Sequence, residues 1–165
     1  MIERHMRIPV ARWMMARSMT PVMEMYCMSN CDMVGVRWSG RKMETIIAVE
    51  LKLTLAAAVL RQCKAHTQKA HEVWAAMMTC SKKQQAKFTD AGVGLLLMDG
   101  YAVREVVQPR INKPFEGASM GWEEQIRKNC WKRKDEYKER MQDAEMRKPM
   151  FAGWASSDSQ WGQHI

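Results

Sequence analysis

Apolar positions recur at intervals of three and four along residues 43–90. Heptads counted from Ile46 place Ile46, Leu53, Leu60, Thr67 and Trp74 at one seam position and Val49, Ala56, Cys63, Ala70 and Met77 at the other. Thr67 is the one polar side chain among these ten, so the stripe predicts a long helix packed lengthwise on a partner. No Gly or Pro interrupts the stretch, and Ala56, Ala57 and Ala58 favour a helix. At about 1.5 Å per residue the rod would measure roughly 69 Å. A compact chain of this length has a radius of gyration of only about 15 Å. The helix must therefore break near 65–68, where polar content rises, or project beyond its own domain.

A second helix is predicted over 121–148. Its stripe runs through Trp122, Ile126, Cys130, Tyr137, Met141 and Ala144, and Pro149 ends it. Glu123–Arg127, Glu124–Lys128, Glu136–Arg140 and Asp143–Arg147 are four-residue ion pairs in the favourable order. Between the helices, 93–98 and 101–107 read as two strands joined by Asp99-Gly100, with a helix ending at Gly100 as the competing reading. A lone hairpin is marginal in water, so this one would lie on the helices. Val34 to Trp38 followed by Ser39-Gly40 is a weaker hairpin start, and Pro109 and Pro114 mark an extended connection over 108–117. The tail carries Trp154 and Trp161, seven residues apart, in a polar segment too short to fold alone.

Composition changes the expected core more than the expected elements. Only 28 of the 165 residues are Leu, Ile, Val or Phe, few enough at net charge +8 to suggest disorder. Seventeen Met and seven Trp restore the supply, giving a core in which flexible thioethers replace branched aliphatics. The basic balance suits an acidic partner. Its distribution is diffuse, however: residues 119–148 interleave 9 basic with 7 acidic side chains, unlike a stripe laid along a phosphate backbone. The most apolar run, 46–60, is 15 residues long and contains Glu50 and Lys52, so no membrane span is expected. Arg4, Arg7, Arg12 and Arg17 against the single acid Glu3 resemble a mitochondrial targeting segment, although Pro9 and Pro21 interrupt it. The alternative is a basic arm lying on a partner.

The candidate chemistry is sparse. Five cysteines at 27, 31, 63, 80 and 130 form no secreted disulfide pattern and read as reduced thiols. Cys27-x3-Cys31 with Cys63-x2-His66 could supply four zinc ligands, but Cys63 falls on the apolar stripe, and no metal site is assigned. His71-Glu72 opens a zincin pattern that fails at Ala75, and Gly92-x-Gly94 meets Leu97 where a dinucleotide fingerprint needs glycine. Cys80 beside Lys82 and Lys83 reads as a buried structural thiol inside the long helix. Trp38, Trp74, Trp122 and Trp131 could stack bases, but read better as core or interface anchors. Residues 129–137, Asn-Cys-Trp-Lys-Arg-Lys-Asp-Glu-Tyr, resemble the start of a helix in the cytochrome oxidase VIb-type twin-cysteine family. The second cysteine of that family would fall at Arg140, and no function is carried over.

The sequence thus predicts a mainly α protein: one long helix, a second helix packed antiparallel on it, a small β-hairpin, and extended N- and C-terminal arms. Its parts are a basic arm (1–42), the long helix (43–90), a hairpin and connection (91–118), the second helix (119–148) and a docking tail (149–165). The expected function is that of a non-catalytic scaffold subunit of a large organellar assembly such as a mitochondrial respiratory complex or ribosome, with no cofactor. The expected partners are other protein subunits, gripped by Trp13, Trp74, Trp154 and Trp161, with peripheral contact to a membrane as a further option. The alternative is a basic nucleic-acid-associated protein, with a cytoplasmic location in place of the mitochondrial one.

Overall fold

The computed structural model describes residues 3–25, 30–40, 42–54, 57–100, 102–114 and 122–128. A 3-10 turn, Glu3–Met6, leads into helix α1, Arg7–Ala16. Three strands follow, β1 (Thr20–Met25), β2 (Cys31–Ser39) and β3 (Lys42–Lys52). Then come α2 (Ala57–His66), β4 (Glu72–Met77), α3 (Lys82–Ala91), β5 (Gly94–Asp99) and β6 (Ala102–Val107). The six strands form one sheet in chain order. Strands β1, β2 and β3 pair antiparallel, β3, β4 and β5 parallel, and β6 returns antiparallel on β5. Both parallel connections are made by helices, as parallel pairing requires.

This is a mixed α/β fold, and it overturns the mainly α expectation. The predicted long helix is four elements in succession, β3, α2, β4 and α3. Strands β3 and β4 lie inside the sheet with both faces covered. Apart from Glu50 and Glu72, the side chains at their centres are apolar on both faces, and such a run matches a helical period as readily as a strand period. All six residues of β4 are buried. The N-terminal arm is likewise absent: α1, β1 and β2 are part of the packed domain. The hairpin at Asp99-Gly100, where Gly100 takes φ +66°, extends the sheet edge instead of lying on helices. Residues 122–128 are helical, whereas the remainder of the predicted second helix, the twin-cysteine-like segment and the C-terminal tail lie outside the described residues.

The sheet separates two cores. On one face, Met6, Val10, Ala11 and Met14 pack on Met33, Ile47, Val49, Leu51, Trp74, Ala76, Leu96 and Met98. On the other, Val59 and Cys63 of α2, Phe88 of α3, and Trp122 and Ile126 cover Val34, Val36, Ile46, Ala48, Val73, Ala75, Leu95 and Leu97. Alternation along β3 assigns its side chains to the two faces in turn. Gly94 leaves room for the indole of Trp74, since a Cβ there would lie well inside contact distance of the ring. Ser81 caps α3 in a capping box: its hydroxyl accepts from the Gln84 amide at 3.3 Å while the Gln84 side chain accepts from the Ser81 amide at 2.8 Å. Cys80 therefore precedes a helix instead of lying within one, and its half-buried thiol is pushed up by burial.

Candidate functional site

Strands β2 and β3 pair with Met33 opposite Val49 and Val34 opposite Ala48. Continued by one residue, that register sets Asp32 against Glu50. The carboxyls are near neighbours: Asp32 lies within hydrogen-bonding reach of Glu50, and its charge acts directly on it. An Asp32 oxygen also accepts from the Leu51 amide at 2.8 Å, which fixes the side chain across the two strands. Asp32 is half-buried, whereas Glu50 is 1 % exposed. Lys52, half-buried, follows Glu50 by two residues and so shares its face at the carboxyl end of β3. In sheets with parallel central strands, the carboxyl ends are where ligands bind.

Helix α2 brings its last residue to the same place. His66 Nε2 lies 2.6 Å from Glu50 Oε1, and both side chains are buried. The indole of Trp122 covers the imidazole at a centroid distance of 5.6 Å, and the Lys69 ammonium lies 5.3 Å from the Trp122 ring. Cys31 completes the cluster: its Sγ, a Glu50 carboxylate oxygen and a ring nitrogen of His66 all lie within 4.8 Å of one another. The Cys31 thiol donates to the Met33 carbonyl at 3.2 Å.

Burial holds the Glu50 carboxyl above its ordinary value and the neighbouring Asp32 adds to this, against the opposing pull of His66. Burial, and then the Glu50 charge, push the Cys31 thiol well up. Two carboxylates in contact cannot both ionise cheaply unless a cation joins them or they share a proton. Carboxylate, imidazole and thiol are also the side-chain types that bind divalent metals.

Of the residues singled out in the sequence, Cys31 and His66 do meet, but through Glu50. Cys63 stands apart, buried under the sheet with its thiol directed at the Trp74 carbonyl at 3.7 Å, and Cys27 lies outside the described residues. Trp74 is not a partner anchor: it is fully buried, edge-on to Trp13 at 5.1 Å. Trp13 is half-buried and donates to Glu105 Oε1 at 2.8 Å. Trp154 and Trp161 lie outside the described residues. Among the described residues no helix is long and apolar enough to cross a membrane. The reading of the sequence missed Asp32 and used Glu50 and Lys52 only as charges that spoil a membrane span. Their signal was available as two opposite charges, two residues apart, in the most apolar stretch of the chain.

No family model matches the chain, and no curated protein does. A solved structure of a protein of unknown function from Silicibacter pomeroyi is similar, with a TM-score of 0.50 and 16 % sequence identity over 78 % of this chain and 89 % of that one. The likeness is one of fold.

Proposed function

We propose that the protein is a metal-dependent hydrolase of phosphodiester bonds in nucleic acid. The observation that carries this reading is the Asp32–Glu50 carboxyl pair, facing across β2 and β3 at the rim of the core with Lys52 on the same face. Asp32 and Glu50 would hold a divalent cation, whose chemistry there would be to polarise a phosphoryl oxygen and lower the pKa of a water. Asp32, anchored by the Leu51 amide, and Glu50, anchored by His66, fix the direction from which the cation and phosphate approach. Lys52 places a positive charge where the attacked phosphoryl group gathers negative charge. Water adds to phosphorus, the ester P–O bond breaks, and the departing oxygen takes up a proton. The net charge of +8 favours a polyanionic substrate.

The expectation of a scaffold subunit rested on a helix too long for the globule, on Trp- and Met-bearing arms and on the lack of a catalytic cluster. The sheet takes up the helix and Trp74, whereas Trp154 and Trp161 lie outside the described residues. The experiment is to incubate labelled single- and double-stranded DNA and RNA with the purified protein in Mg2+ or Mn2+. Cleavage is expected only with the metal and is lost in Asp32→Asn and in Lys52→Ala. Cleavage that survives both substitutions would refute the assignment.

A further inference from the structure

The hydrolytic reading makes no use of Cys31 and uses His66 only as a support for Glu50, yet both are buried and converge on it. We propose that Cys31, Glu50 and His66 form a binding site for a thiophilic divalent cation, with Zn2+ as its natural occupant. Hard cations such as Mg2+ take oxygen ligands, whereas a set of one thiolate, one imidazole and one carboxylate matches zinc. Three protein ligands with one open position is also an arrangement that zinc adopts.

The geometry is close to that of a filled site. Ligand atoms around a tetrahedral zinc stand about 3.3–3.8 Å apart, given metal–ligand distances of about 2.0–2.3 Å. The three donor atoms already lie within 4.8 Å of one another. The Cys31 thiol has to turn from the Met33 carbonyl, and the 2.6 Å contact between His66 and Glu50 has to open. Binding displaces the Cys31 proton and any proton held between His66 and Glu50, and the cation takes their place. No redox step is involved. The ligands come from β2, β3 and α2, so the cation would tie the antiparallel part of the sheet to its first crossover helix. The Trp122 indole over His66 shields that side from water.

The two readings share Glu50 and are told apart by the residues they do not share: Asp32 and Lys52 belong to the hydrolytic set alone, and Cys31 to the zinc set alone. The test is titration of the reduced full chain with Co2+, followed by absorption spectroscopy. One equivalent is expected to give a thiolate-to-cobalt charge-transfer band in the near ultraviolet, which Zn2+ then abolishes by displacement. Cys31→Ser removes the band, His66→Gln weakens Co2+ binding more than about tenfold, and Cys80→Ser leaves it unchanged. Asp32→Asn keeps the band, and circular dichroism checks that each variant is folded. Absence of the band in the wild type, or its persistence in Cys31→Ser, overturns the zinc site whatever the nuclease assay shows. A band without cleavage overturns only the hydrolytic reading.

Discussion

The two faces of the sheet each carry one buried glutamate, and the two are treated in opposite ways. On the α1 face, Glu72 accepts from Arg17 Nη2 with both oxygens, at 3.1 and 2.9 Å, and from Trp74 Nε1 at 2.9 Å. Its charge is balanced by one guanidinium, which also lies over the Trp13 and Trp74 rings at 4.8 and 5.5 Å. On the α2 face, Glu50 meets a second carboxyl, a histidine and a thiol. The first arrangement is a stacked ion pair on a Met-rich core, in which one guanidinium nitrogen reaches both Glu72 oxygens while Arg17 Nη1 is buried without a hydrogen bond. The second gathers two carboxyls, an imidazole and a thiol, donor atoms that a cation would join, with Lys52 on the same face. The two glutamates differ in their partners more than in their burial.

The comparison can be broken from either side, and the largest effect belongs to the closed face. Trp74→Ala removes the largest side chain in that core and takes a hydrogen bond from Glu72. It is expected to cost about 3–5 kcal/mol, measured by denaturant unfolding. Glu72→Gln leaves Arg17 without its counter-charge. Water reaches Arg17, whose side chain is 27 % exposed, so the expected loss is smaller, about 2 kcal/mol. A neutral effect at Glu72 would remove the contrast.

On the open face the sign reverses. Asp32→Asn removes one of two repelling charges, and the cation-free protein should gain up to about 1 kcal/mol, since residues kept for function often lower stability. The pH dependence sharpens this. Glu50 holds its proton more tightly when folded than its ordinary value of 4.5 allows. The folded state is therefore favoured at low pH, and that advantage is lost as pH rises from the ordinary value through the raised one. In the absence of divalent metal, the melting temperature of the wild type relative to Glu50→Gln should fall across that window. A flat difference would show that burial does not hold the Glu50 proton.

Some of this was legible in the sequence and some was not, for physical reasons. Asp99-Gly100 signals its turn because few residue pairs suit that backbone. Ser81-x-x-Gln84 signals the start of α3 in the same way, although the unbroken apolar stripe hid it. The central strands escaped because β4, Glu-Val-Trp-Ala-Ala-Met, is covered on both faces and shows no alternation. The sequence that separates β3 from α2, α2 from β4 and β4 from α3 contains neither Gly nor Pro, the two residues that most reliably mark loops. For the site, Glu50-x-Lys52 was visible as a spacing, but its meaning required knowing that β3 is a strand. Asp32, eighteen residues earlier, joins it only through the register of β2 on β3. Cys31 and His66 were weighed together as metal ligands from the sequence, with Cys63, which is not in the cluster, and Cys27, which lies outside the described residues, in place of Glu50. The carboxylate that links them carries no local mark.

The Asp32–Glu50 carboxyl pair is expected to recruit a cation, and the Glu72–Arg17 pair is not. Titration with Mn2+, followed by the loss of the free-ion electron paramagnetic resonance signal in a buffer free of other divalent metals, measures this directly. The wild type and Glu72→Gln are expected to bind Mn2+ with the same affinity, and Asp32→Asn to bind more than about tenfold more weakly. Equal Mn2+ affinity in the wild type and Asp32→Asn would contradict the account.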